Sequence, residues 1–326
     1  MFNYSEQIFE INNEREFNSL CLEIFNYQYH NNKVYHEFCS LVLKQNPNNL
    51  SHYTQIPFLP IQFFKNKEIY SSLQNPQIEF SSSTTTSQIP SKHLIADKTI
   101  YIKSFIKTFE LFYGPIKDYC ILALLPSYLE RKGSSLIFMV DELIKRSEDL
   151  DSGFFLYNQQ ELFEVLQKKD NKKKTLLLGV TFALLDFADK FQLDIPNTII
   201  METGGMKGRR IEQTREEIHL QLIKAFGTKH IHSEYGMTEL LSQAYSKGDG
   251  VFILPPWMKV LIRDNADPFS YMDEGRTGAL NIIDLANIYS CSFIASDDLG
   301  RLNDKGFEVL GRMDNSEIRG CNLLTL

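Results

Sequence analysis

Cysteine is scarce in this chain, and it is scattered. The 326 residues hold five, at Cys21, Cys39, Cys120, Cys291 and Cys321, odd in number and never in a CxxC pair. That argues against a disulfide framework and a zinc ribbon, and points to reduced thiols and a cytoplasmic location. The chain contains no HExxH, no GxSxG and no GxxxxGK[ST], so the usual signatures of zinc peptidases, α/β-hydrolases and P-loop NTPases are missing. His230 and His232 would share one face of a strand, but no third ligand lies nearby in sequence. The opening MFNYSEQIFE has no basic stretch leading into an apolar one, so no signal peptide is expected. No run approaches the ~18 apolar residues of a spanning helix, so no integral membrane segment is expected. Positive charge is not in excess either. Thirty-four Lys and Arg against 41 Asp and Glu leave −7, and no nucleic-acid partner is expected.

What is present reads as a globular α/β protein. Apolar residues make up 43% and charged residues 23%, with 24 Phe and 15 Tyr, close to globular averages apart from the aromatic content. Helical periodicity appears at 14–29, 34–44, 99–113, 134–146, 182–191 and 210–226. Short apolar runs at 120–125, 175–180, 198–201 and 279–283 read as buried strands, and strands alternating with helices favour a largely parallel sheet flanked by helices. IPFLPIQFFK at 56–65 holds two prolines and reads as an extended apolar connection. Beyond 248 the helices thin out and glycine turns suggest a smaller β-rich part. The expected division is 1–78, a helical N-terminal part of the same domain; 79–248, an α/β core; and 249–326, the β-rich part. Five lysines between 168 and 174 read as a solvated loop.

Five segments carry candidate chemistry. SSSTTTS at 81–87, placed between an expected strand and an expected helix, offers hydroxyls and backbone N–H groups to phosphate, with Lys92 adding charge; a polar linker has the same composition. ETGGMKGRR at 202–210 lets a flat ligand approach the backbone closely, or is only a tight turn. SEYGMTE at 233–239, after an expected strand at 229–232, combines a tyrosine face with a hydroxyl and a carboxylate three and four residues on, suited to a base, a phosphate and its Mg²⁺. SDDLG at 296–300 suits a sugar diol or a turn. GRMD at 311–314 sets an arginine on a turn.

Order and spacing join these segments. Thr84 precedes Gly204 by 120 residues, Gly204 precedes Tyr235 by 31, Tyr235 precedes Asp298 by 63, and Asp298 precedes Arg312 by 14. The series resembles the adenylate-forming superfamily of acyl-CoA ligases, peptide-synthetase adenylation domains and luciferases, over about residues 79–320. YGMTE at 235–239 and GRMDNSEIRG at 311–320 are its specific motifs. Within it, IPFLPIQFFK, LPSYLERKGSSLIFM at 125–139 and the ending RGCNLL look like the LuxE-like acyl-protein synthetases, relatives of the phenylacetate-CoA ligases.

That resemblance implies an α/β large domain, ATP and Mg²⁺ as cofactors, a fatty acid, long-chain by expectation, as substrate, and an acceptor protein, reductase or carrier as partner. Ser82, Ser83, Thr84, Thr85 and Thr86, with Lys92, would cradle the phosphates. Gly204, Gly205 and Met206 would line the adenine site, and Tyr235, followed by Gly236, would stack on the base. Thr238 would touch the α-phosphate and Glu239 would hold Mg²⁺. Asp298 would bind the ribose hydroxyls, with Asp297 as competitor, and Arg312 would support ribose and phosphate. Cys321 matches the acylated terminal cysteine of the family, whereas Cys120 and Cys291 lie in apolar runs and read as core. The sequence departs from the superfamily in two ways. The Ser/Thr loop lacks glycine, and no complete C-terminal mobile domain is expected after Gly320 to bring a lysine to the carboxylate; adenylation would proceed without that lysine, or Lys92, Lys207, Arg209, Arg210 or a partner would substitute. Alternatives remain an acyl- or aryl-CoA ligase-like enzyme using CoA or a carrier, and a non-catalytic subunit that binds nucleotide or a partner.

Overall fold

Apolar runs too short for helices become strands buried on both faces, and the helices between them cover those faces. The computed structural model describes residues 4–82, 89–126, 133–169, 173–204 and 213–313. In chain order its first part comprises α1 (Tyr4–Gln7), α2 (Glu14–Asn31), α3 (Lys33–Val42), β1 (Leu59–Pro60), α4 (Phe63–Asn66), β2 (Ile78–Ser81), β3 (Lys92–Ile95), α5 (Lys98–Tyr113) and β4 (Tyr119–Leu124). The middle holds α6 (Ser135–Ser147), β5 (Gly153–Phe154), α7 (Gln159–Lys169), β6 (Lys174–Val180), α8 (Thr181–Lys190), β7 (Thr198–Thr203), α9 (Arg215–Phe226), β8 (His232–Tyr235) and β9 (Ala244–Ser246). The last part is strand-rich: β10 (Val251–Phe252), β11 (Met258–Arg263), β12 (Gly278–Asp284), β13 (Phe293–Asn303) and β14 (Gly306–Arg312).

Two six-stranded sheets result. The first runs β5-β4-β6-β7-β8-β9, parallel except for β9. Every residue of β4 is buried, and Cys120 there is buried, as is Cys291 near the second sheet. The second sheet runs β10-β14-β13-β12-β11, antiparallel throughout, with β1 added in parallel to β13. The helices start where the sequence caps them. Asn13 accepts from the Glu16 amide, Asp97 from that of Thr99, and Thr214 and Glu217 form a capping box on α9.

The N-terminal helices pack on the second sheet. Gln28 is fully buried; its amide nitrogen donates to the Asn287 and Ile288 carbonyls at 3.0 and 2.9 Å, and its oxygen accepts from the Ser292 amide at 3.0 Å. The extended reading of 56–65 becomes β1, but its end turns into α4.

Four readings change. The Ser/Thr loop does not lead into a helix: β2 and β3 form an antiparallel hairpin with Ser81 opposite Lys92. The helix expected from 210 begins at Arg215. The strand expected at 229–232 lies at 232–235, which puts Tyr235 on a strand end. The lysine run is not all solvated: Lys169 ends α7, a helix the sequence reading missed, and both Lys169 and Lys173 donate to Asp149 at 3.0 Å.

Asp284, at the end of β12, is fully buried. It accepts from the Leu241, Ser242 and Ala286 amides and from the Ser242 hydroxyl, at 2.6–3.1 Å. Asp284→Asn turns one acceptor oxygen into a donor facing these N–H and O–H groups. Urea unfolding should show a loss on the order of 2 kcal/mol, without a change in the unfolding slope.

Candidate functional site

The parallel strands all stop at one edge, and a cleft of about 2070 Å³ opens there. Residues after the carboxyl ends of β4, β6, β7 and β8 line it: Leu125, Thr181, Gly204 and Gly236. This is where open α/β sheets take ligands. The opposite wall comes from the β13–β14 hairpin, through Asp298 and Arg312.

The hairpin wall depends on a change of edge partner. β12 holds one edge of β13, while the other edge pairs with β1 at Ile294–Ala295 and with β14 from Asp298 onward. Asp298 stands opposite Arg312, and a register shift follows at Leu299/Gly300. A Cβ on Gly300 would lie 2.1 Å from the Glu308 carbonyl oxygen, so the strands approach this closely only with glycine there. Asp298 faces the cleft; it accepts from the Tyr235 hydroxyl at 2.8 Å and has the Arg312 guanidinium at 3.7 Å. Burial raises its pKa, against the pull of both partners. Asp297 points elsewhere and accepts from the Gln62 side-chain amide.

The turn after β8 is clamped from three sides. His93 Nδ1 donates to the Thr238 carbonyl at 2.8 Å, Asn287 Nδ2 donates to the Glu239 carbonyl at 2.7 Å, and Asp284 takes the Leu241 and Ser242 amides. His93 is fully buried, and burial lowers its pKa to about 4, so the imidazole is neutral and Nδ1 carries the proton. Thr238 and Glu239 both line the cleft. Glu239 is buried, and burial raises its pKa despite the Ser91 hydroxyl nearby.

Two further carboxylates stand side by side. Glu202 stands one residue before Thr203, which ends β7, and Thr203 is in register with Glu234 on β8. Thr203 Oγ1 donates to Glu234 at 2.5 Å and Thr181 Oγ1 donates to Glu202 at 3.0 Å. Burial acts on both acids. It raises Glu234 to about 7, reinforced by the charge of Glu202. Glu202 stays below its ordinary value because His219, Ser233, Arg215 and Thr181 outweigh burial. Arg215 Nε and His219 Nε2 both stand 3.8 Å from Glu202.

The structure brings Ser82, Gly204, Tyr235, Gly236, Thr238, Glu239, Asp298 and Arg312 to one cleft. Ser82 closes the hairpin base: its amide donates to the Ser91 carbonyl and its hydroxyl accepts from the Ser91 amide. Lys92 is not on the cleft wall. It is exposed, with its ammonium 3.4 Å from Glu79. The Tyr235 ring is 8% exposed and packs on Phe252 and edge-on to Phe307, so little of its face is open to a base. Ser83, Thr84, Thr85, Thr86, Gly205, Met206 and Cys321 lie outside the described residues, as do Lys207, Arg209 and Arg210.

The profile of the family described as "Acyl-protein synthetase, LuxE" matches residues 2–325. The chain belongs to that family. Solved structures show the fold of adenylate-forming ligases. ATP-bound MatB from Rhodopseudomonas palustris is similar at 14% identity and a TM-score of 0.54, over 72% of this chain and 47% of that one. An open conformation of 2-hydroxyisobutyryl-CoA ligase, in complex with 2-HIB-AMP and CoA, is similar at 12% identity and a TM-score of 0.68, over 92% of this chain and 70% of that one. The LuxE-family chain thus spans about half the length of MatB. A comparison with curated protein sequences finds no match. Among the described residues no helix is long and apolar enough to cross a membrane.

Sequence reasoning missed His93, Asp284 and Asn287, and gave no role to Glu202 and Glu234 within the segments it singled out. A lone acid inside the apolar runs TIIMET and ALNIID was the available signal for Glu202 and Asp284; His93 offered none.

Glu234 gives a pH prediction. Its folded pKa of about 7 lies above the ordinary 4.5, so its contribution to stability is fully present below pH 4.5 and is lost as pH rises through 7. Glu234→Gln keeps the acceptor for Thr203 and does not ionise. Measured by urea unfolding, the variant should gain on the order of 2 kcal/mol over the parent protein between pH 5 and pH 8.

Proposed function

We infer that this LuxE-family ligase activates a carboxylic acid, a long-chain fatty acid by preference, with ATP and passes the acyl group to a thiol. The observation that carries the reading is the convergence of Thr238, Glu239, Asp298 and Arg312 on one cleft, with Tyr235 tied to Asp298. A substrate carboxylate oxygen attacks the α-phosphorus of ATP; the bond to the bridging oxygen breaks and pyrophosphate leaves. Positioning and charge neutralisation carry such a step, with little covalent chemistry asked of the protein. Asp298 holds the ribose hydroxyls and Arg312 faces ribose and phosphate. Thr238 addresses the α-phosphate.

Glu239 is the carboxylate for Mg²⁺. Among the described residues no group of three or more His, Cys, Asp or Glu side chains could cage a metal. A single carboxylate with phosphate oxygens and water is the way Mg²⁺ sits on nucleotide enzymes. The ion supplies charge neutralisation at the phosphates.

In the second half-reaction a thiolate attacks the acyl carbonyl, the C–O bond to AMP breaks, and a thioester forms. Cys321 is the acceptor in this reading. Among the described cysteines, burial raises the thiol pKa of Cys120 and Cys291 to about 12, which makes them poor nucleophiles. The similarity to 2-hydroxyisobutyryl-CoA ligase, whose structure contains CoA, supports CoA as the alternative acceptor.

The test combines ATP–pyrophosphate exchange with intact mass after incubation with ATP, Mg²⁺ and C8 to C18 fatty acids. The expected result is acid-dependent exchange and an acyl increment that hydroxylamine removes and Cys321→Ser lacks. Asp298→Asn and Glu239→Gln should each lower exchange by about a hundredfold, the usual scale for losing a charged transition-state contact. An increment that persists in Cys321→Ser, or thioester formation only with CoA, moves the acceptor. Absence of exchange with every acid rejects adenylation and leaves a nucleotide- or partner-binding subunit.

A further inference from the structure

We propose that Lys65 is the anion-binding residue of the cleft and contacts the polyphosphate of the nucleotide. This rests on the adenylation reading for its role in a reaction, though not for its binding.

Four lysines and arginines line the cleft among the described residues: Lys65, Arg215, Lys229 and Arg312. Arg312 faces Asp298, and Arg215 lies by Glu202 and over the Phe252 ring. Lys229 is exposed. Lys65 is half-buried, and no hydrogen bond or ion pair engages its ammonium among the described residues. A cation with no partner on a cleft wall is free to take an anion.

The seat of Lys65 is built. α4 is fixed at its start by the Ile61 amide, which donates to the Ala295 carbonyl at 2.9 Å, and by Gln62, whose side chain donates to Asp297. Phe64 is buried and meets the His93 ring edge-on, with centroids 5.7 Å apart. Gln62 and Lys65 are three apart, so they share one face of the turn. That face reaches Asp297, the neighbour of Asp298. α4 also packs on β3, which follows the Ser/Thr loop in sequence; Ser82 and Ser91 at the base of that loop line the same cleft as Lys65. α4 therefore bridges the hairpin below the hydroxyl-rich loop and the strand of the acid assigned to ribose, and Lys65 is its cation on the cleft. The chain of phosphates beyond a ribose held at Asp298 is the anion that this cleft would present to it. An ammonium there neutralises charge on the β- and γ-phosphates and on departing pyrophosphate.

The test is a labelling footprint, read without reference to activity. The full chain is treated with an amine-directed acetylating reagent and the modification of Lys65 is followed by peptide mass spectrometry. Mg-ATP and pyrophosphate should slow acetylation of Lys65 by about tenfold, the scale of one charge-assisted contact, while AMP should not. Lys65→Ala should weaken ATP binding by about tenfold in calorimetry and leave AMP binding and Tm unchanged; Lys65→Arg should restore most of it. Equal labelling with and without ATP overturns the assignment even if acid-dependent exchange is present. So does equal ATP affinity of Lys65→Ala and the parent. Protection by ATP without exchange for any acid upholds Lys65 as the phosphate contact and rejects only the adenylation reading.

Discussion

A buried carboxylate ties the end of the antiparallel sheet to the turn after the last parallel strand. Asp284 ends a strand of the antiparallel sheet, and the groups it accepts from include the backbone of 241–242, which follows the last parallel strand. Burial raises its pKa to about 6, so at neutral pH it is ionised and has four donors to satisfy it. The Ser242 hydroxyl that donates to it also receives the Trp257 indole N–H at 3.0 Å and meets Ser104 on α5 at 3.0 Å. One charge thereby fixes a strand end, a turn and a helix. A buried charge without these donors would be costly, so the network is held together or lost as a unit.

The cleft inherits its order from that joint. Thr238 and Glu239 lie three and two residues before Leu241, and their carbonyls are taken by His93 and Asn287. Their side chains face the cleft from a backbone with few open degrees of freedom, which is what electrostatic preorganisation requires. The acids around the cleft are then sorted by their donors. Glu202 has hydroxyl and cationic neighbours and stays charged; Glu234, with one threonine hydroxyl and a charged neighbour, is pushed to about 7. Gly236 allows this arrangement, since a Cβ there would lie 2.4 Å from Glu234 Oε1.

Much of this was legible in the sequence, and the reason is local. The periodicity at 14–29 and 99–113 reads as helix, and helices lie at Glu14–Asn31 and Lys98–Tyr113. The strands of the parallel sheet are buried on both faces, so they read as unbroken apolar runs. That Tyr235, Thr238, Glu239, Asp298 and Arg312 line one cleft was expected from the family resemblance in their order and spacing. What was not legible depends on distant partners. Nothing near His93 in sequence says that it will meet the carbonyl of Thr238, 145 residues away. Lys92 looked like the cation of the Ser/Thr loop, but a hairpin in place of a helix set it opposite Ser81 and beside Glu79. α7 was hidden because its lysines suggested solvent, whereas Asp149 draws Lys169 and Lys173 inward.

The edge of β13 shows how a short segment can complete such a site. A strand has two edges, and β12 occupies one along most of β13. The other edge is shared end to end by β1 and β14, so the two backbone partners part at 296–298. At such a break the ladder no longer dictates both flanks, and side chains gain room to turn outward. Asp297 turns to Gln62 on the β1 side, and Asp298 turns to Tyr235 and Arg312 on the β14 side. The two-residue strand β1 is thus more than an edge decoration. By ending where it does, it carries α4 to the cleft wall, gives Asp297 a partner of its own, and leaves Asp298 to the cleft. Two adjacent acids on one strand point to opposite faces, and Gln62, which follows β1, gives one of them a partner away from the cleft.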